Sequence, residues 1–138
     1  MFVGHLKLNE MARLKKVTID KIEEFSLQEI FDYVVNHLRT QGEVCINLGG
    51  LCVYRNAKGQ SCAVGCLIPD ELYNKEVEEK GASETSFWRA LGLGMPEDME
   101  RVMLLQDLQF AHDYDKVNWR VQLETVADQY KLNFGGRI

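Results

Sequence analysis

Four cysteines, Cys45, Cys52, Cys62 and Cys66, are the residues whose type most readily supports metal binding or redox chemistry. A structural zinc site usually contains two close pairs such as C-x2-C, because a tight turn then presents both sulfurs to one ion. Only the last two cysteines lie close together, at a spacing that shares one helix face. We therefore expect core thiols and no cofactor. Two alternatives stay open: zinc held by Cys52, Cys62 and Cys66, or a disulfide between Cys52 and Cys62.

A nucleophilic thiol at Cys62 is a second chemical hypothesis. The segment Gln-Ser-Cys at 60–62 stands at an expected junction between strand and helix, where a helix N-terminus lowers a thiol pKa. His112 would then serve as the base, with Asp113 or Asp115 orienting its ring. The competing interpretation is structural, because His112 ends one expected helix and the two aspartates suit the cap of the next. We favour a non-enzymatic protein and keep a cysteine-dependent hydrolase as the alternative.

Ligand binding is a third hypothesis, and it concerns Tyr54, Arg55 and Lys58. An aromatic ring beside two cations would stack on and pair with a nucleotide or a phosphate. The sequence contains neither a phosphate loop ending in G-K-S/T nor a G-x-G-x-x-G segment between strand and helix. Packing and solubility are the alternative roles for such residues. We predict these three residues as the site that binds a ligand or partner.

The elements that must position these residues are mainly helices. The clearest covers about 27–40, where the apolar residues follow helical spacing. Ser26 and Glu29 form a capping box at its start, and Gly42 suits its end. Three more helices are expected, at about 83–91, 97–112 and 115–130. The helix at 97–112 is apolar around most of its circumference, which predicts the buried centre of a bundle.

The middle of the chain departs from helical spacing. Residues 51–64 consist of two short β-prone runs around a turn at Gly59, which predicts a small β-hairpin. Pairing across this hairpin would bring Cys52 close to Cys62. Pro69 predicts a short helix after it, because the missing N–H of proline costs nothing in a first helical turn.

The chain of 138 residues carries a formal net charge of −5, from 16 basic and 21 acidic residues. Its length and 46% hydrophobic content fit one domain. We expect a peripheral segment at 1–25 with a short helix at 5–16, a core at 26–132 and a flexible tail at 133–138. The acidic balance argues against a protein that coats DNA.

No apolar run approaches the roughly 20 residues that a membrane-spanning helix needs. The first residues also lack the uninterrupted apolar core of a secretory signal. We therefore expect a cytoplasmic protein without membrane association. The oligomeric state is left open, with a homo-oligomer as one alternative.

Residues 52–73 resemble a family motif. The segments CVYR at 52–55, KG at 58–59 and CAVGCLIPDELY at 62–73 match the pattern C-x-Y-R…G-x-x-C-A-x-G-C-L-I-P-D-x-x-Y. This pattern is similar to that of a family of small uncharacterised proteins from bacteria, plasmids and phages. Residues 26–42 and 108–132 resemble the same family. The resemblance implies a phage- or plasmid-type accessory protein that engages a host protein, for example an inhibitor of bacterial defence.

The sequence as a whole predicts a mainly α-helical fold, a compact bundle of about four or five helices with a small inserted β-hairpin. An α+β fold is the alternative if residues 17–22 and 43–48 also join a sheet. The favoured function is a non-enzymatic binding module that engages a host protein or a small nucleotide. A cysteine-dependent hydrolase and a small zinc-stabilised domain are the alternatives.

Overall fold

A computed structural model of the chain describes residues 15–114 and 116–134, and this part is mainly helical, as predicted. Its α-helices are α1 (Leu27–Gln41), α2 (Thr85–Ala90), α3 (Met99–Asp113) and α4 (Trp119–Tyr130). Shorter 3-10 helices cover Ile19–Glu24, Gly65–Leu67, Lys75–Val77 and Lys116–Asn118. None of the helices described is long and apolar enough to cross a lipid bilayer. The helix expected at 5–16 and the tail expected at 133–138 lie mostly outside the described residues, and Asp115 lies wholly outside them.

Helix α1 begins and ends where the sequence predicts. The Ser26 hydroxyl accepts the Glu29 N–H at 3.0 Å, and the Glu29 carboxylate accepts the Ser26 N–H at 2.9 Å. This capping box satisfies two donors that the helix start leaves free. Gly42 takes the left-handed conformation, with φ of 75°, at the other end. The buried face of α1 is the predicted apolar stripe of Ile30, Phe31, Val34, Val35 and Leu38.

Helix α3 packs against α1 and α4 but is not buried all round. Its buried side chains are Val102, Leu104, Leu105, Leu108, Ala111 and His112. Met99, Met103 and Phe110 remain exposed. The prediction of a helix buried at the centre of a bundle is therefore right for one face and wrong for the other, which no other described element covers.

Two buried tryptophans anchor the shorter helices. Trp88 in α2 donates its indole N–H to the Ala82 carbonyl at 2.7 Å. Trp119, the first residue of α4, donates its indole N–H to the His112 carbonyl at 3.0 Å. Each ring thereby buries its apolar body and still satisfies its polar N–H.

Residues 69–80 do not form the predicted helix. The Pro69 carbonyl accepts the N–H groups of Leu72 and Tyr73, at 2.9 and 3.2 Å, which makes a single turn. The backbone is extended at Asn74, and the Asn74 side chain accepts the Glu76 N–H at the start of the short 3-10 helix. Asparagine ends the turn because its side chain competes for backbone N–H groups and suits a cap better than a helix interior.

The predicted β-hairpin is wrong. Residues 43–62 contain two isolated antiparallel bridges and no strand, and these bridges join Ile46 with Cys52 and Arg55 with Ser61. Pairing does not extend because the N–H groups of Tyr54 and Arg55 donate to the Glu78 carboxylate, at 2.8 and 3.3 Å, instead of to a neighbouring strand. The α+β alternative is wrong for the described residues as well, since residues 19–22 belong to a 3-10 helix and residues 43–48 contain one isolated bridge, at Ile46, and no strand.

Candidate functional site

The candidate site is carried by two consecutive loops. Residues 45–53 form the first, here called the first asparagine loop. The Asn47 side-chain oxygen accepts the N–H groups of Gly49 and Leu51, at 2.9 and 3.0 Å. The Asn47 backbone carbonyl accepts the Gly50 N–H at 3.0 Å, and Gly50 has a left-handed φ of 81°. The Asn47 N–H donates to the Leu51 carbonyl at 2.9 Å, so one residue organises the whole turn.

The second asparagine loop, residues 54–62, repeats this scheme. The Asn56 side-chain oxygen accepts the N–H groups of Lys58 and Gln60, at 3.1 and 3.0 Å. The Asn56 carbonyl accepts the Gly59 N–H at 3.2 Å, and Gly59 has a φ of 80°. Asparagine favours such turns because its side chain bonds to backbone two residues on. The sequence signal is Asn-x-x-Gly-x occurring twice, and interpreting Gly59 alone as the turn misses it.

The two loops differ in how they are attached. The second loop is fixed to α1, because the Gln41 side chain donates to the Ser61 carbonyl at 2.9 Å and accepts the Ser61 N–H at 3.0 Å. The first loop is joined to the second by Asn56, whose side-chain Nδ2 donates to the Ile46 carbonyl at 2.9 Å. Leu48, at the tip of the first loop, is fully exposed. The second loop is thus a fixed base from which the first loop projects.

Both loops border a groove of about 1130 Å³, here called the lysine groove. Its apolar lining includes Val44, Ile46, Leu48, Ala57 and Tyr73. Its charged lining is Glu43, Arg55, Lys58, Lys75 and Lys116. Binding sites for organic ligands and peptides typically combine apolar walls with a few polar groups that fix orientation.

The lysine groove is basic although the protein is acidic. Its lining has four cations and one carboxylate, and Arg55 pairs with Asp70 at 2.8 Å, which leaves a local charge of +2 in a chain of net charge −5. Lys58, Lys75 and Lys116 form no ion pair with any residue in 15–114 or 116–134. A cleft with a surplus of one sign of charge concentrates its field and attracts ions of the opposite sign. The groove therefore favours an anionic occupant.

The structure separates the three residues predicted to bind a ligand. Tyr54 is only 6% exposed and donates its hydroxyl hydrogen bond to the Lys80 carbonyl. Its ring belongs to the core, so the structure does not place it on the groove. Arg55 lines the groove, but its guanidinium lies 4.7 Å from the centre of the Tyr73 ring and is already held there. Lys58 is exposed on the groove, where the sequence places a binding residue.

Glu78 is a residue that sequence reasoning missed. Its carboxylate accepts the N–H groups of Tyr54 and Arg55 and the Tyr73 hydroxyl, the last at 2.7 Å. Partial burial and this bond to Glu78 raise the pKa of Tyr73 to about 12. Glu78 thus ties the second asparagine loop to the side of the groove that Tyr73 forms. No local pattern marks this role, because the bonds to the loop span 23 and 24 residues.

The residues of the hydrolase hypothesis have structural roles. Cys62 is fully buried, its sulfur accepts the Gly65 N–H at 3.1 Å, and burial raises its pKa well above the ordinary value. His112, also buried, accepts the Cys45 N–H through Nε2 at 3.0 Å, and its Nδ1 lies 3.0 Å from the Asp113 carboxylate. Because Nε2 faces a donor, the neutral ring carries its proton on Nδ1. No nitrogen of the ring is then free to accept a proton from a thiol.

Three potential metal ligands do lie together. The ligand atoms of Cys52, His112 and Asp113 are all within 4.8 Å of one another, the one such group in residues 15–114 and 116–134. A metal-binding histidine normally donates its second ring N–H to an acceptor. In this fold a metal on Nδ1 would leave Nε2–H facing the Cys45 N–H, and a metal on Nε2 would displace that bond. The group therefore fits a hydrogen-bonded contact between helix and loop and does not fit a metal site.

The cysteines are free thiols, so the alternative disulfide is not formed. Cys52 lies at the surface, paired with Ile46 by a backbone bridge, whereas Cys62 is buried. Neither Cys62 nor Cys66 belongs to the group of potential metal ligands, so the structure does not bring the predicted zinc set together. Burial raises the pKa of Cys45 to about 11 and that of Cys66 further still. The prediction of core thiols is confirmed for Cys45 and Cys62.

A second groove, of about 700 Å³, lies on the other side of Arg55. Its lining includes the side chains of Tyr33, His37 and Cys66. Its charges cancel, because three cations (Lys16, Lys21 and Arg55) face three carboxylates (Asp20, Asp70 and Glu71). It therefore lacks the surplus of cations that distinguishes the lysine groove.

The resemblance of residues 52–73 to a family motif stays a prediction. Comparison of this chain with protein-family models, with curated proteins and with solved structures found no match in any of the three.

Proposed function

We propose that the protein is a non-enzymatic binding module whose working surface is the lysine groove. The observation that carries this proposal is the convergence of Lys58, Lys75 and Lys116 on one apolar groove without an ion pair to any described residue. Lysines that no carboxylate of the described chain neutralises leave their charge to an external anion. The aliphatic walls supply the area that holds the remainder of the occupant.

The state of the reactive side chains also supports binding over catalysis. A nucleophilic cysteine needs a lowered pKa and a neighbouring base. Burial raises the pKa of the Cys62 thiol instead, and the Cys45 N–H occupies the Nε2 lone pair of His112. The Cys62 thiol and the His112 ring are used inside the fold, while the lysine groove is lined mainly by cations and apolar side chains.

The motif resemblance extends the proposal to the biological setting. A phage- or plasmid-type accessory protein would use such a surface to engage a host protein or a small nucleotide, for example to inhibit bacterial defence. This part of the proposal depends on residues 52–73, which contain the whole second asparagine loop and therefore one wall of the lysine groove.

An NMR titration tests the location of the binding surface. Protein labelled with nitrogen-15 is screened against a fragment library of carboxylates, phosphates and neutral aromatic compounds. We expect anionic fragments to shift the amide signals of residues 46–49, 57, 58 and 60, because these line the groove. The double variant Lys58→Glu/Lys116→Glu should abolish these shifts by reversing the charge of the rim.

The matched control is Arg89→Glu/Arg120→Glu, which makes the same change of charge at two exposed positions that do not line the groove. The control should bind fragments as the unchanged protein does. Two results would overturn the proposal: anionic fragments that leave the groove amides unmoved, or groove shifts that persist in Lys58→Glu/Lys116→Glu. Thermal unfolding of both variants confirms that each still folds.

A further inference from the structure

We infer that the lysine groove receives an acidic segment of another protein, which seats an apolar side chain against the tip of the first asparagine loop. This inference rests on the proposed function. It goes beyond that function by deciding between the two partner classes that the sequence leaves open, a protein and a small nucleotide.

The loops do not offer a phosphate the usual backbone donors. Phosphate sites commonly use free N–H groups that converge from a glycine-rich loop or a helix start. Both asparagine loops contain glycine, but the three amides that follow each loop tip are already bonded within the loops. Asn47 accepts the N–H groups of residues 49, 50 and 51, and Asn56 accepts those of residues 58, 59 and 60. A phosphate in this groove would meet lysine side chains without a backbone cradle.

The groove also lacks an open aromatic platform for a base. Binding of nucleotides without a sequence motif relies on stacking between the base and an aromatic ring. Tyr54 is buried, and the Arg55 guanidinium already covers one face of Tyr73 at 4.7 Å from the ring centre. Tyr73 is the one aromatic residue among those that line the groove in the described chain. These features disfavour a nucleotide.

An acidic protein segment fits both the lysines and the exposed aliphatic side chains of the groove. Lys58, Lys75 and Lys116 come from three different elements around the groove, an arrangement that suits carboxylates on separate residues of one chain. Lysine acts as a point charge and pairs readily with such carboxylates. Leu48 is fully exposed on a loop whose backbone is fixed by hydrogen bonds, and Ile46 lies beside it. An aliphatic surface held in place in this way is typical of a protein interface.

The charge of the remaining surface adds specificity. The chain carries a net charge of −5, so an acidic partner is repelled by most of the molecule and attracted at the groove. Attraction at one place and repulsion elsewhere together select both the partner and its orientation.

Peptide display tests the inference. A library of random dodecapeptides on phage is selected against the full chain, with Lys58→Glu/Lys116→Glu as the counter-selection. We expect enrichment of peptides that combine several acidic residues with an aliphatic or aromatic residue. A synthetic copy of the best peptide should bind about tenfold more weakly to Lys58→Glu/Lys116→Glu. It should bind about fivefold more weakly to Leu48→Ala, whereas Arg89→Glu/Arg120→Glu and Val121→Ala keep the original affinity.

Titration of the labelled protein with ATP and with inorganic phosphate distinguishes a failure of this inference from a failure of the proposed function. If ATP shifts the groove amides while no peptide is enriched, the inference is overturned and the proposed function stands. If neither peptide nor ATP acts at the groove, both are overturned. Enriched peptides that are basic, or that bind Lys58→Glu/Lys116→Glu as well as the unchanged protein, overturn the inference directly.

Discussion

The two asparagine loops have the same backbone hydrogen bonds and present opposite chemistry. The first loop presents Leu48, which is fully exposed at its tip, and Leu51, which is 68% exposed. The second loop presents Lys58 and is fixed to α1 through Gln41. In both loops the side chain of one asparagine accepts the backbone N–H groups of the turn, so the side chains at the tip are not needed to hold the turn. One loop supplies aliphatic surface and its neighbour supplies charge.

The comparison also shows how this part of the molecule is held together. The helices are stabilised by burial of apolar stripes, as the face of α1 shows. The loops bury Cys45, Tyr54 and Cys62, and they are held in addition by side chains that bond to backbone, among them Asn56 and Glu78. Such bonds fix a surface without burying it, which suits a region that must stay accessible to a partner.

The largest expected effect concerns the base of the second loop. A methyl group on Gly65 would lie 2.2 Å from the Tyr54 carbonyl oxygen, which accepts the Cys62 N–H at 3.1 Å and closes that loop. We expect Gly65→Ala to lower the free energy of unfolding by about 3 kcal/mol or more, measured by urea denaturation. The control is Gly94→Ala, whose methyl group meets nothing within 4 Å. Equal stability of the two variants would show that the second loop is not a rigid base.

The next largest effect concerns the two asparagine side chains, whose removal should lower the free energy of unfolding by different amounts. Asn56→Ala loses two bonds to N–H groups and also the donor bonds to Ile46 and Gln60. Asn47→Ala loses two exposed bonds, which water partly replaces. We expect losses of about 2 kcal/mol for Asn56→Ala and about 1 kcal/mol for Asn47→Ala in the same urea assay. A larger loss for Asn47→Ala than for Asn56→Ala would mean that the second loop depends on the first for its stability.

The helical part of this fold could be predicted because its signals are local. The capping box at Ser26 and the glycine at 42 lie within one turn of the residues they satisfy. The hydrogen bonds that hold the second loop join residues that lie far apart in the sequence, since the Glu78 carboxylate accepts the N–H groups of Tyr54 and Arg55. No local sequence pattern marks such bonds. The Tyr54 ring is buried by contacts that are equally distant along the chain, with Lys80 and Phe87, and a β-prone run alone does not show them.

The candidate site could be predicted in part for the same reason. Lys58 lies on the groove because the turn that carries it is fixed locally by Asn56. Lys75 and Lys116 reach the same groove from distant parts of the chain, which spacing along the sequence does not show. The repeated Asn-x-x-Gly-x pattern was a usable signal, and it marks both loops that border the groove.

Thiol reactivity should differ between Cys52 of the first loop and Cys62 of the second. Partial burial and the neighbouring Asp113 carboxylate raise the pKa of Cys52 to about 11, whereas Cys62 is fully buried. Below its pKa a thiol gains thiolate as the pH rises, so labelling of Cys52 by iodoacetamide should increase about tenfold per unit between about pH 8 and pH 10. Cys62 should stay unlabelled in the folded protein, as mass spectrometry of digests would show. Rapid labelling of Cys62 near neutral pH would restore the hydrolase hypothesis.

The smallest expected effect concerns the loop tips themselves. Leu48→Ala and Lys58→Ala remove exposed side chains from turns that the two asparagines fix. Each should change the free energy of unfolding by less than about 0.5 kcal/mol, because surface substitutions away from structural contacts have little effect. A loss comparable to that of Asn47→Ala would show that these side chains support the fold and are not reserved for a partner.

Photo-crosslinking in cells of the native host tests the central claim most directly. Benzoylphenylalanine is placed at position 48, on the groove, and in a second protein at position 121, where Val121 is exposed outside the groove. We predict a defined crosslinked protein from position 48, unchanged by Arg89→Glu/Arg120→Glu and lost with Lys58→Glu/Lys116→Glu. The same product from position 121, or its persistence with Lys58→Glu/Lys116→Glu, would contradict the claim that the lysine groove is the binding surface.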